Sequence, residues 1–285
     1  MLASRFGRGM TSYRSDSPLT DDQIRHVAPS IFAEDKHASR SDRYAYIPTI
    51  EVLNGLRKEG FQPFMVCQSR VRDDAKREHA KHMIRLRHAN QITAQEADEI
   101  ILLNSHDGTS SYQMLAGQFV FVCGNGLVCG KTQNDVRVRH QGKVVDAVIE
   151  GANVVLEGFD LVREQREGMK ALQLNDGERA AFARAALELR YGGDEPAEGE
   201  ESSAAPKAFP ITERQLLQPR RPAESGSDLW TTFNVVQENT IRGGLYGRNA
   251  SGKRATTRAV TGIDQNVKLN RALWVLAEEM RRLKG

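Results

Sequence analysis

EIILLNSHDGTSSYQMLAGQFVFVCGNGLVCG, from Glu99 to Gly130, is the most strongly patterned stretch of this chain. The apolar run Ile100 to Leu103 has the length and β-branched character of a buried strand. It breaks at Asn104-Ser105-His106-Asp107-Gly108-Thr109, where Asp-Gly signals a turn: glycine accepts positive φ, and the aspartate side chain bonds its own backbone. Tyr112 to Val122 reads as the next strand, Cys123-Gly124-Asn125-Gly126 as a second turn, and Leu127-Val128-Cys129 as a further strand. His106 and Asp107 could be read as catalytic, but adjacent residues of an extended chain project to opposite faces, so a structural turn is expected.

Working outward from this stretch, Phe61 to Arg72 and His79 to His88 predict the two strands of a hairpin, separated by a charged turn. On the second strand Lys81, Met83, Arg85 and Arg87 share one face and His82, Ile84 and Leu86 the other, which predicts a basic, half-buried surface. Thr49 to Glu59, with Ile50, Leu53 and Leu56 on one side and Gly60 after it, predicts an amphipathic helix. Thr93-Ala94-Gln95-Glu96 has the form of a capping box and predicts a brief helix before Ile100. Residues 41–145 thus make an α+β core. Ahead of them, residues 1–40 hold a basic arm (Arg5, Arg8, Arg14) and a short helix opened by Thr20-Asp21-Asp22-Gln23.

Beyond Gly130 a short strand near Val136 leads into a helical C-terminal half. Val144 to Leu172 and Glu178 to Tyr191 have helical periodicity, the latter with Phe182, Ala186 and Leu189 inward, giving a helical extension over 146–191. From Gly192 to Ala208 the composition turns to Gly, Glu, Ser, Ala and Pro, which cannot bury enough surface to order itself. An acidic flexible linker is expected across 192–227. The last segment, 228–285, contains a helix from Asp228 to Ile241 with Leu229, Phe233, Val236 and Thr240 on one stripe. A basic Gly-rich loop follows over 242–258, and then a final helix. In that helix Leu269, Leu273, Leu276, Met280 and Leu283 repeat at 4, 3, 4 and 3, the seam of a helix packing on a partner helix, so a homo-oligomer is expected.

The chain has 285 residues, 39% of them hydrophobic and 27% charged, which suits a soluble globular protein with a real core. No apolar run reaches the roughly 18 residues of a membrane span, and the first residues lack the apolar core of a secretory signal. A cytoplasmic protein without membrane association is expected. Three cysteines, Cys67, Cys123 and Cys129, all in apolar strand-like contexts, predict small buried hydrophobes rather than disulfides. The net charge of +3 conceals an asymmetry: setting aside Asp194, Glu195, Glu198, Glu200 and Glu201 leaves +8 on the rest. A basic body with a separate acidic tract points to a polyanionic partner.

Metal ligation by His79, His82, His88, His106 and Cys67 finds no support in spacing, since no CxxC pair or HExxH is present. Cys123 and Cys129 lie amid Val, Phe and Leu, where a thiol is not activated. No metal, cofactor or catalytic residue is expected. The 242–258 loop is the stronger signal, with five positive charges and no acid. Its glycines let backbone amides approach phosphates, Arg and Lys neutralise them, and Tyr246 offers a ring for a base. Gly247 to Gly252 followed by Lys253 has P-loop spacing, but Arg254 stands where a Mg²⁺-holding Ser or Thr is needed and no buried strand precedes it. A solvated loop is the plain alternative.

YIPTIEVLNGLRKEGFQPF, ILLNSHDGTSSYQML, VCGNGLVCG, DLWTTFNVVQEN and VKLNRALWVLAEE resemble the plasmid, prophage and integrative-element proteins grouped as domain of unknown function 932. The resemblance runs from about Ala3 to Glu279, interrupted at the acidic tract. It implies work on or for incoming DNA and carries no catalytic residues over. The element order is also similar to that of the single-strand annealing recombinases, which form oligomeric rings around a basic groove; this is an analogy of architecture alone.

The expected function is therefore non-enzymatic binding of single-stranded DNA in a mobile element, for annealing or protection. Lys81, Arg85, Arg87, Arg242, Arg248, Lys253, Arg254 and Arg258 would contact phosphates, Tyr246 would stack on a base, and Leu269, Leu273, Leu276 and Met280 would join subunits. The alternative is a counter-defence protein that binds a host nuclease or other host factor. The basic balance favours the first, because mimics of DNA are acidic.

Overall fold

The computed structural model describes residues 10–41, 44–91, 96–121, 124–130, 135–138, 145–192, 209–248 and 251–285. They form two compact units, one of Met1–Val162 with Thr261–Asp264, the other of Arg163–Val260 with Gln265–Gly285. The fold class is α+β, with the sheet in the N-terminal half and helices in the C-terminal half.

In the first unit the strands are β1 (Met10–Arg14), β2 (Phe61–Ser69), β3 (His82–His88), β4 (Glu96–Asn104), β5 (Tyr112–Val120), β6 (Asn125–Val128) and β7 (Val136–Val138). All pairings are antiparallel, in the order β1-β2-β3-β4-β5, and β6 and β7 then share the far side of β5. The Asp107-Gly108 turn forms as the sequence predicts: Asp107 Oδ1 accepts from the Thr109 backbone at 3.0 Å and its hydroxyl at 2.6 Å, and Gly108 has φ 75°. β4 begins at Glu96, the fourth position of the expected capping box. Most of that expected helix lies outside the described residues, and Glu96 itself is strand.

One face of the sheet carries Val66, Ile84, Leu86, Ile100, Leu102, Tyr112 and Met114. It packs against α1 (Asp21–Val27), α2 (Thr49–Lys58) and the first part of α3 (Val145–Ala171), through Ile24, Leu53, Leu56, Val155 and Phe159. The capping box on Thr20 is present, with Gln23 completing it. The other face is buried as well. Met65, Cys67, Met83, Arg85, Arg87, Glu99, Ile101 and Leu103 are all inaccessible or nearly so. The sheet curls until its first strand reaches its last: Arg14 of β1 donates to the Gly124 carbonyl and lies over the Phe119 ring at 4.9 Å. That closure explains why Phe64 to Cys67 of β2 and Ile100 to Leu103 of β4 are apolar without alternation. It also places the end of the expected N-terminal arm in an edge strand.

The second unit is built on α6 (Leu229–Arg242), started by Asp228, whose side chain accepts from Thr231 N at 2.8 Å. The expected stripe of Leu229, Phe233, Val236 and Thr240 is buried, and so are most of the remaining positions, because α6 is covered on nearly all sides. α7 (Ile263–Lys284) lies on it, with Trp274 edge-on to Trp230 and Phe233 at 6.3 and 5.9 Å, and Gln237 donating to Asn270 at 2.7 Å. Leu269 and Leu273 of α7 are buried as well. At those two positions of the expected oligomer seam the apolar side chains are therefore already covered in the single chain. Leu276 and Met280 are half-buried and Leu283 is exposed.

α4 (Asp176–Tyr191) buries Phe182, Ala183, Ala186 and Leu187, whereas Leu189, expected inward, is exposed. Of the expected linker, 193–208 lie outside the described residues. Residues 209–227 are built into the unit, with α5 (Glu213–Leu216) and a 3-10 turn at Pro222–Glu224. Buried polar groups of α6 hold them: Arg221 pairs with Glu238 at 2.8 Å, Arg220 donates to Asn239 at 2.8 Å, and Asn239 donates to Leu216 O at 2.8 Å.

Candidate nucleic-acid interface

The described residues of the basic Gly-rich segment include a pair of short strands. β8 (Tyr246–Arg248) pairs antiparallel with β9 (Arg254–Thr256), with Tyr246 opposite Thr256, Gly247 opposite Ala255 and Arg248 opposite Arg254. Its base is closed by Thr257 N–H to Leu245 O at 2.9 Å, Gly244 N–H to Thr257 O at 2.9 Å, and Leu245 N–H to the Thr257 hydroxyl at 3.0 Å. Its back rests on residues 210 and 211. A Cβ on Gly247 would stand 1.8 Å from the Pro210 carbonyl oxygen, so only glycine lets the strand lie there. Arg248 N–H donates to that same carbonyl at 2.9 Å, and Gln215 Nε2 to Tyr246 O at 2.7 Å.

Because cross-strand partners and alternate residues share a face, the side away from Pro210 carries Tyr246, Arg248, Arg254 and Thr256 together. All four are exposed, and Tyr246 retains 81% of its surface. Lys253 and Arg258 are exposed at the tip and base, and Arg248 donates to Gly252 O at 2.9 Å, which fixes its guanidinium beside the tip. An exposed phenol ring flanked by guanidinium groups on a rigid ribbon can stack on a base and neutralise phosphates at once.

The other expected contacts are placed differently. Arg242 is spent on the buried Glu238, at the end of α6. Lys81 pairs with Asp264. Arg85 and Arg87 lie inside the curled sheet, not on a half-buried hairpin surface. Arg85 donates to Glu99 at 2.5 Å and to the Leu127 carbonyl, and Arg87 donates to Glu99 at 2.9 Å. The Arg87 guanidinium sits among three rings, 4.6 Å from Phe64, 3.6 Å from Phe119 and 5.1 Å from Phe121. Burial alone raises the Glu99 carboxyl, but Arg85, Arg87 and Arg14 outweigh it and hold it below the usual carboxylate range. Burial lowers Arg87 in turn, opposed by Glu99. The correction has a physical cause: strand alternation tells which residues share a face but not that the sheet rolls over it. Room for Arg85 comes from Gly126, where a Cβ would stand 2.5 Å from its Nη1.

A second buried group went unrecognised in the sequence. Asn104 Nδ2 donates to Thr49 Oγ1 at 3.0 Å, Thr49 meets His82 Nε2 at 3.0 Å, His82 Nδ1 meets Ser30 Oγ at 2.8 Å, and Ser30 donates to Gln68 Oε1 at 2.7 Å. With the proton on Nδ1 every donor in this relay finds an acceptor, so the network selects neutral His82. Burial pushes its pKa down to about 4. Cys67 is fully buried, with its thiol pushed up to about 12 chiefly by burial, and Cys129 is buried too; Cys123 lies outside the described residues.

A family model described as Domain of unknown function (DUF932) matches residues 36–274. Two Escherichia coli (strain K12) proteins, UPF0380 protein YafZ and UPF0380 protein YfjQ, are each 56% identical over 279 residues, which covers 98% of this chain and 97% of theirs. No solved structure matches, so the likeness to annealing recombinases rests on element order alone.

Proposed function

This chain belongs to the DUF932 family, and we propose that it serves there as a non-enzymatic single-stranded DNA-binding protein that anneals or protects incoming strands. The observation that carries the reading is the exposed hairpin face on which Tyr246 stands beside Arg248 and Arg254. A duplex keeps its bases stacked on one another, whereas a single strand offers a free base to the Tyr246 ring. The remaining expected cations contribute less: Arg85 and Arg87 are enclosed, and Arg242 and Lys81 have carboxylate partners.

The test is a salt-titrated binding comparison of a single-stranded oligonucleotide, the matching duplex and RNA. Single-stranded DNA should bind best, with little dependence on sequence and with log affinity falling by about 0.7 per phosphate neutralised for each unit of log salt. A flat salt response and equal affinity for all three would overturn the reading in favour of a host-protein partner.

A further inference from the structure

The open edge of β9 deepens the proposed DNA reading, on which it rests. Thr257 donates its N–H across the hairpin to Leu245 O, and amide direction alternates along a strand. Ala255 therefore faces Gly247 within the ladder, and the N–H groups of Arg254 and Thr256 point away from β8. On β8 the equivalent outward groups are occupied, Arg248 N–H by Pro210 and Tyr246 O by Gln215. On β9 neither outward N–H has a partner among the described residues, and both residues are exposed.

We propose that this edge is a phosphate track, in which the main-chain N–H groups of Arg254 and Thr256 donate to successive phosphates of an extended single strand while one base turns onto Tyr246. The two amides are about 6.8 Å apart along the strand, a reach comparable to that between neighbouring phosphates. Lys253, Arg254 and Arg258 surround them with positive charge and no acid intervenes from 242 to 258. Main-chain donors carry no base preference, so the track reads the backbone of a strand and not its sequence.

The edge is testable in the full-length chain with a short oligothymidylate. Thr256→Pro removes one outward N–H at a place where an edge strand tolerates proline, and Thr256→Ala keeps it. The proline variant should lose about tenfold in affinity and the alanine variant almost nothing, as expected for a charge-assisted hydrogen bond. Independently of any substitution, solvent exchange of the Arg254 and Thr256 amides should slow when the oligonucleotide is added. Unchanged exchange, alongside binding that is still abolished by Lys253→Glu with Arg254→Glu, overturns the track and leaves the DNA reading standing. Binding that survives that charge reversal overturns both. Slowed exchange with an acidic extended peptide such as polyglutamate, but not with the oligonucleotide, overturns the track in favour of a protein strand.

Discussion

Glu99 and Arg87 stand directly opposite each other on β4 and β3, with carboxylate Oε1 2.9 Å from guanidinium Nε, both inaccessible to solvent. Arg85 takes the second oxygen. Deleting one member strands the others without water, so Glu99→Ala should cost about 3–5 kcal/mol in urea unfolding. Replacing Arg85, Arg87 and Glu99 together by apolar residues should recover most of that loss. A Glu99→Ala protein as stable as the parent would show that the enclosed guanidinium groups reach water after all.

The hairpin predicts a separation of binding from stability. Lys253→Glu with Arg254→Glu should weaken single-stranded DNA binding at least tenfold, about 1.4 kcal/mol, and flatten the salt dependence. Both side chains are exposed, so the melting temperature should hardly move. Tyr246→Ala should cost about 1–3 kcal/mol of binding and leave the salt dependence alone.

Gly247→Ala should act on the hairpin from behind. Its methyl would collide with the Pro210 carbonyl, forcing β8 off its support and displacing Tyr246 and Arg248. Affinity should fall as in the charge-reversed variant, with the core transition in circular dichroism retained. Parental affinity here would mean that the hairpin tolerates a shifted seat.

His82 predicts an acid sensitivity. Its folded pKa, about 4, is below the unfolded value of 6.5, so the unfolded chain takes the proton first as pH falls. Stability should be level above pH 6.5 and decline progressively toward pH 4, by about 3 kcal/mol. Melting temperature followed across this range should change less steeply in His82→Gln than in the parent.

The α7 stripe predicts a folding defect and not a change of mass. Leu273 is fully buried, so Leu273→Ala should cost about 2–5 kcal/mol. Leu273→Glu should unfold the second unit. Light scattering on the folded fraction of Leu273→Ala should give the parental mass, and a smaller, fully folded particle would restore the subunit-joining role.

What the sequence disclosed was local. Ile100 to Leu103, the Asp107-Gly108 turn and the Thr20 capping box depend on neighbouring residues, and each forms as read. Arg85 and Arg87 were misplaced because their burial depends on β1 meeting β6, strands more than a hundred positions apart in the chain. Glycine within a strand signals close approach: a larger residue at Gly126 would strike Arg85, and one at Gly117 would strike Ile101 first. Residues 209–227 show the same dependence on distant residues, since Arg220 and Arg221 find Asn239 and Glu238 on α6. At the hairpin, a Gly-rich composition suits close approach to phosphates as well as a solvated loop, whereas Gly247 marks a close contact with the chain's own Pro210. The alternation Tyr246-Gly247-Arg248 and Arg254-Ala255-Thr256 was already visible and identifies the exposed face.

The hydrogen-bond chain through His82 draws Ser30, Thr49, Gln68 and Asn104 from four other segments, joined across separations of 33 to 55 residues. None of it can assemble before β2, β3 and β4 are side by side with the first two helices in place. A slip of β3 by one position would turn the imidazole to the opposite side of the sheet, leaving the Ser30 and Thr49 hydroxyls without their partner. The same slip would turn Arg85 and Arg87 away from Glu99 and into the apolar face, so polar partners are lost on both sides of the sheet. His82 thus ties the alignment of β3 to the segments that carry Ser30 and Thr49, as Glu99 ties it through Arg85 and Arg87 on the opposite face.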